Sequence, residues 1–291
     1  MHYEPYVEKY TLVRSAGITA SLVALGAACS ASLPEDRTFT NEPTVPSTSS
    51  SSSSGAGGNA GNFGTSGGNP DDAGVTQEKC GTAPSFVGTL RDFKAHNPAD
   101  FERNVTGSEL GLVKVDLGAD SKPEYARTGA SSTVGGPATF AQWYHDVPGV
   151  NQPFQYELPI QARPDGSAFF DSSAFFPLDN RGFGNEGNDH NFHFTFELHT
   201  AVLYSGGEQF NFRGDDDLWI FINKKLVIDL GGTHAPETAN LALDQIATQI
   251  GLEKGKTYSF DFFFAERHTN QSNFRLETTL KFSGCNVNIP R

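Results

Sequence analysis

The sequence is poor in basic residues, in methionine and tryptophan, and in long apolar runs. Lysine and arginine number 21 against 34 aspartates and glutamates, a formal net charge of -13. Such a surface has little to offer a phosphate backbone, so nucleic acid is excluded as a partner. One methionine and two tryptophans stand beside 24 phenylalanines. Phenylalanine amid many Gly and Asn suits strands and tight turns better than helix bundles. The apolar run from Ala16 to Ala28 is too short to span a bilayer comfortably and follows Lys9 and Arg14, the pattern of a signal peptide over residues 1–28. Residues 31–79 hold almost no aliphatic side chains but a serine run, Ser49 to Ser54, and several Gly-Asn pairs. Such a segment cannot bury a core and reads as a flexible tether.

The apolar run ends in Leu25-Gly26-Ala27-Ala28-Cys29, which resembles a bacterial lipobox. That resemblance implies lipid on Cys29, with residues 29–79 as lipidated terminus and linker; the alternative is an ordinary cleaved signal followed by a chance cysteine. Gly64-Thr65-Ser66-Gly67-Gly68 spells a hydrolase-like G-x-S-x-G, but no strand precedes it and no helix follows. With Cys29 assigned to lipid, Cys80 and Cys285 bracket residues 80–291. In an exported protein a disulfide between them is the economical expectation, two free thiols the alternative.

Within that region Phe192, Phe194 and Phe196 alternate with His193, Thr195 and Glu197, the period of a half-buried strand. Phe210 and Phe212 repeat it, as do Tyr258 to Phe264 and Phe274 to Phe282. Several such strands spaced by turns predict an all-β sandwich or barrel. Two short helices are expected, one starting at Asn97-Pro98-Ala99-Asp100 and one over Leu243 to Ile250 before Gly251. Trp143 and Tyr144 are expected in a core.

The most unusual stretch is Gly214-Asp215-Asp216-Asp217, running into Leu218-Trp219-Ile220-Phe221-Ile222. Three adjacent carboxylates repel one another, so they stand either at a solvated turn or against a cation. The polar segment Arg267 to Asn273 offers Asn270 and Asn273 as further oxygens. His190 and His193, at strand spacing, point apart and do not read as a zinc pair. Arg213-Gly214-Asp215 matches an integrin-binding tripeptide common by chance. Trp219 suits a core more than a sugar platform.

Phe176-Pro177-Leu178-Asp179, Gly182-Phe183-Gly184, His190 to Thr195, Gly214 to Ile222, Asp229 to His234, Gly251-Leu252 and Ala265 to Thr269 succeed one another as in the fibro-slime domain family. The resemblance runs from near Val87 to about Phe282. That family resembles, more distantly, the β-sandwich domain of anthrax protective antigen found also in yeast flocculins and other adhesins. The resemblance implies a β-sandwich of protective-antigen type. It also implies a calcium ion held by an Asp-Asp pair with a cis peptide, here Asp215-Asp216, together with Asn from a second loop, Asn270 or Asn273. Asp217, Arg267 and His268 are then expected to face the ligand. Two departures are Asp217, where Gly is frequent, and Asn223-Lys224-Lys225 in place of an Asn-Gly-Lys turn.

The expected function is therefore a non-catalytic, extracytoplasmic carbohydrate-binding or adhesion lipoprotein, at a bacterial outer membrane or cell surface. It would meet the membrane by its lipid anchor only, with calcium as a candidate cofactor. The main alternative is a structural module that recognises a matrix or surface protein. A glycoside hydrolase using Asp216 and Glu266 ranks last.

Overall fold

The computed structural model describes residues 86–282 apart from Asn104 and Asn270. The signal peptide, the linker, Cys29, Cys80, Cys285 and Asn270 thus lie outside the described residues. The elements are β1 (Phe86–Asp92), α1 (Pro137–Phe140), β2 (Gln152–Leu158), β3 (Gln161–Ala162), β4 (Ala168–Ser172), β5 (Phe194–Tyr204), β6 (Gln209–Gly214), β7 (Asp217–Ile222), β8 (Lys225–Leu230), β9 (Glu237–Ala242), α2 (Leu243–Ile246), β10 (Lys256–Glu266), β11 (Phe274–Thr278) and β12 (Lys281–Phe282). The strands form two antiparallel sheets. One has seven strands in the order β2-β1-β5-β10-β7-β8, with β12 pairing the far half of β5. The other has five, β3-β4-β11-β6-β9.

Period-2 alternation explains the five-stranded sheet. Phe210 and Phe212 of β6 and Phe274 and Leu276 of β11 point into the sandwich, while Asn211, Arg213, Arg275 and Glu277 point out. The seven-stranded sheet behaves differently. Its inner face supplies Phe196, Ile220, Phe262 and Phe264 to the core between the sheets. On its other face Trp219, Phe221, Phe263 and Ala265 meet a second core, formed by residues 93–151 through Phe93, Phe101, Phe140, Trp143 and Tyr144. All of β7 is therefore buried, and the half-buried strand expected around Phe194 is buried on both faces, His193, Thr195 and Glu197 included. Most of the polar groups caught under this cover pair with one another, although Arg91 Nη2 and Asp261 Oδ2 have no hydrogen-bond partner. Arg91 Nη1 donates to Glu197 Oε2 at 2.5 Å, Lys122 pairs with Glu197, and His199 bridges Glu197 at 2.6 Å and Asp261 at 2.7 Å.

The helix expected at Asn97 is replaced by a turn with a cis Asn97-Pro98 bond. Asp100 does not serve a helical first turn because its carboxylate is drawn inward, accepting Trp143 Nε1 at 2.9 Å and the Gly135 N–H at 2.5 Å. The second expected helix is present as the single turn α2. Leu243, Ala247 and Ile250 bury against the inter-sheet core before Gly251 turns the chain at φ 73°.

Candidate functional site

At one end of the sandwich the chain crosses between sheets four times, and two of these crossings build the site. Asp215 and Asp216 carry it from the end of β6 to the start of β7, and residues 267–273 carry it from β10 to β11. Gly214 lets the two crossings meet, since a Cβ there would stand 2.7 Å from the Asn273 carbonyl oxygen. Asp216 turns the backbone at φ 53°, a left-handed conformation that Asp tolerates better than most residues. The Asp215-Asp216 peptide is trans, because Asn97-Pro98 is the only cis bond among the described residues. This corrects the cis geometry implied by the resemblance: here the left-handed turn re-aims the second carboxylate.

Each acid has a distinct partner. Asp215 accepts the Asn273 N–H at 2.6 Å on Oδ1 and Asn273 Nδ2 at 2.8 Å on Oδ2. Asp216 Oδ2 accepts the Arg267 N–H at 2.8 Å. Asp217 accepts the Gly232 N–H at 2.7 Å and Arg267 Nε at 2.6 Å. Arg267 also donates through Nη1 to the Thr133 and Asp100 carbonyls, and its guanidinium lies 4.6 Å over the Trp143 ring. Asp217 and Arg267 are both 0 % exposed. They hold the crossing to the covering segment and do not face a ligand, contrary to expectation. His268 is half-buried, its Nε2 3.4 Å from Glu102 Oε2. Glu102 also receives the Thr269 N–H and His193 Nε2, both at 2.9 Å.

A fourth acid, Glu266, completes the group. It is buried, and its Oε2 has no hydrogen-bond partner. Among the described residues the only ion pair made by Asp215, Asp216, Asp217 or Glu266 is that of Asp217 with Arg267. The imbalance appears in their acidities. Burial, with the Asp217 and Asp215 charges, pushes Asp216 up to about 7 despite Arg267. Burial and the charges of Asp216 and Asp215 push Glu266 well above the usual carboxylate range. Clustered carboxyls of this kind hold protons near neutral pH or take up a cation.

Beside the crossing lies an open cleft of ≈ 510 Å³. Phe176, His190, Arg213 and Pro236 form its walls together with Ser272 and Asn273, and none of its eight lining residues is acidic. The His190 ring stacks on Phe176 with centroids 3.9 Å apart and planes 4° from parallel, and its Nδ1 meets Asp179 Oδ2 at 2.7 Å. Asn273 belongs to both places: it lines the cleft and binds Asp215 behind it.

Residues 148–289 match the PA14 domain. The matched stretch begins just before β2, so β1 and most of the segment that covers the seven-stranded sheet precede it. Curated relatives include three Dictyostelium discoideum proteins. The chain is 40% identical to protein psiQ over 192 residues, covering 61% of this chain and 19% of psiQ. It is 38% identical to psiD over 198 residues, 63% and 38% of the two chains. It is 33% identical to psiC over 228 residues, 72% and 43%. The chain therefore spans less than half the length of each of these relatives. Among solved structures, a PA14 sugar-binding domain from an RTX adhesin aligns at 11% identity and TM-score 0.30 over 70% of this chain and 93% of that one. The PA14 domain of the MpAFP antifreeze protein aligns at 11% identity and TM-score 0.30 over 71% and 89%.

The structure thus gathers Asp215, Asp216 and Asn273 in one place, removes Asp217 and Arg267 from contact with solvent, and sets His268 on Glu102. Trp219 is core, its Nε1 donating to Asp229 Oδ1 at 3.0 Å, and the Arg213-Gly214-Asp215 tripeptide is not displayed because Gly214 and Asp215 are buried. Sequence reasoning joined Glu266 to Asp216 only as a hydrolytic pair, not among the cation ligands, and missed the cleft. Phe176 and His190 lay inside quoted motifs, but only their stacking gives them a shared role.

Proposed function

We propose that this chain is a non-catalytic carbohydrate-binding, adhesion-type module of the fibro-slime kind, carried by an extracytoplasmic surface protein, with its glycan site in the cleft at the sheet-crossing end. The observation that carries the reading is the meeting of an open cleft of ≈ 510 Å³, within the size range of small-molecule sites, with a buried carboxyl group in charge deficit just behind its Asn273 wall. The PA14 match supports it.

Calcium fits the site in charge and donor type. Asp215, Asp216 and Glu266 supply hard oxygens, the orphaned Glu266 Oε2 among them, and Asn273 leaves its amide oxygen free of Asp215. Bound there, the ion would supply a positive centre for sugar hydroxyls. Among the described residues no three His, Cys, Asp or Glu side chains already stand as a metal cage, so the fit is one of composition. Asp216 and Glu266 are buried and do not line the cleft, which supports a binding role over hydrolysis. Sugar release from polysaccharide by the purified protein would overturn that.

A glycan array with and without chelator tests the reading, alongside melting curves. Calcium is expected to raise both glycan signal and Tm, and Asp215→Ala with Asp216→Ala to abolish the rise. No Tm shift at millimolar calcium sinks the metal part. No glycan signal in either condition leaves the protein-assembly alternative. The lipid on Cys29 and the Cys80–Cys285 bond belong to the same proposal, and intact mass with and without reductant reads both.

A further inference from the structure

The cleft's charge runs against that of the rest of the chain. In a protein of net charge -13 none of its lining residues is acidic and Arg213 is its one formal charge, His190 being held from behind by Asp179. Arg213 stands on the outer face of the five-stranded sheet, directly opposite Arg275 of β11 and Thr238 of β9. Like charges opposite one another on adjacent strands are unfavourable. Arg275 is relieved by Asp171 at 2.6 Å and Glu277 at 3.3 Å, and Glu277 is held also by Arg163 at 2.5 Å. The nearby acids are thereby taken, and Arg213 is left without an ion pair or side-chain hydrogen bond among the described residues. Its neighbour Asp215 is buried and spends both oxygens on Asn273.

An exposed guanidinium held beside a stacked Phe176–His190 pair, in a cleft open to solvent, has the parts that an acidic sugar needs: a fork for a carboxylate and an apolar wall for the ring. We infer that the cleft takes a uronic-acid unit of a polysaccharide, with its carboxylate on Arg213 and its ring against the Phe176–His190 pair. The inference rests on the carbohydrate reading above and adds the class of sugar. Asn273 Oδ1 and the exposed Gln271 side chain remain to receive hydroxyls.

The test uses the full chain and short galacturonate, glucuronate and mannuronate oligosaccharides, each paired with its methyl ester, which keeps the ring and removes the charge. Titration calorimetry is run in calcium and in chelator. At least one acid series is expected to bind about tenfold more tightly than its ester. Arg213→Gln should erase that preference, and Arg213→Lys should keep part of it. Because Arg213 is exposed, the Tm of both variants should match the parent. Esters bound as tightly as acids, or neutral glycans alone bound, overturn the inference and leave the carbohydrate reading standing. A preference confined to calcium and unchanged in Arg213→Gln also overturns it, since the ion and not the arginine would then read the carboxylate. Absence of any sugar binding removes both.

Discussion

The two sheets of the sandwich are built from similar alternating sequence but are used differently. The five-stranded sheet buries one face and keeps a polar outer one. The seven-stranded sheet is covered twice, by its partner sheet and by residues 93–151. The same residue types consequently behave in opposite ways. Glu277 on the open face is held below the usual carboxylate range by Arg163, whereas Asp216, Asp217 and Glu266 at the covered end are pushed up by burial. Charge on the open sheet is available to a ligand, while charge on the covered sheet is committed to structure or demands a counter-ion.

The widest separation between the sheets should come from outer-face substitutions. Phe263 is 0 % exposed and meets Tyr144, Phe221 and His199 edge-on. Phe263→Ala should lose about 3–5 kcal/mol in urea unfolding, while Arg275→Ala, on the outer face of the other sheet, should change stability by no more than about 1 kcal/mol. Equal losses would mean that residues 93–151 do not cover the larger sheet in solution.

Nearly as large is the effect of breaking the buried Asp217–Arg267 ion pair at the crossing. Arg267→Met strands the fully buried Asp217 and should cost about 3–5 kcal/mol. Adding Asp217→Leu should recover a good part of that loss, because the second carboxylate no longer lies unpaired. A double variant as unstable as the single would show that the Thr133 and Asp100 carbonyl bonds, rather than the charge pair, carry the contribution.

This contrast also decides what the sequence could reveal. Phe210, Phe212, Phe274 and Leu276 were legible because one covered face leaves a period of two. Trp219 was expected in a core, but the second core that it shares with Phe221 and Phe263 was not legible, because a strand buried on both faces reads as a continuous apolar run and nothing local says what lies over it. The covering segment is irregular, with one helical turn and isolated bridges such as Val113 with Tyr125, so it has no period to detect. At the site, the three aspartates were visible as a charge anomaly and their link to the 267–273 segment was expected. The withdrawal of Asp217 from solvent into its pair with Arg267 was not, since it depends on Arg267 reaching Asp100 and Thr133. Arg213 looked unremarkable because its lack of a partner follows from the register that sets Arg275 opposite it.

The acids at the covered end should give the protein a pH signature. Asp216 has its folded pKa raised from the model-compound value of 3.8 to about 7. The folded state therefore keeps a proton that the unfolded chain gives up, and stability falls as pH rises between those values. Glu266 acts in the same direction and extends the fall upward. His199 adds to it, since its bonds to Asp261 and Glu197 outweigh burial and raise its pKa, a contribution lost above the unfolded histidine value. Without calcium the Tm should drop from pH 5 to pH 8, and Asp216→Asn should flatten part of that drop. Calcium should raise Tm more at pH 8, where protons no longer compete for the carboxylates. A larger calcium effect at pH 5 would contradict the placement of the cation among these acids.

The smallest expected effect lies where the cover of the larger sheet runs out. Asn223 and Lys224 join β7 to β8 with φ of 51° and 60°, the two left-handed positions of a type I′ turn, for which Asn-Gly is the favoured pair. Lys224 is exposed, and its carbonyl accepts the Leu117 N–H at 3.0 Å while the next residue, Lys225, pairs with Asp116, so the covering segment holds this turn without the Lys224 side chain. Lys224→Gly keeps that bond and removes the steric cost of a Cβ in a left-handed residue, about 1 kcal/mol, but adds unfolded-chain entropy of about 0.5–1 kcal/mol. The net should be a gain of about 0.5 kcal/mol or less in urea unfolding. A loss beyond about 1 kcal/mol would mean that the lysine side chain itself, and not the turn geometry, secures the cover at the edge of the sheet.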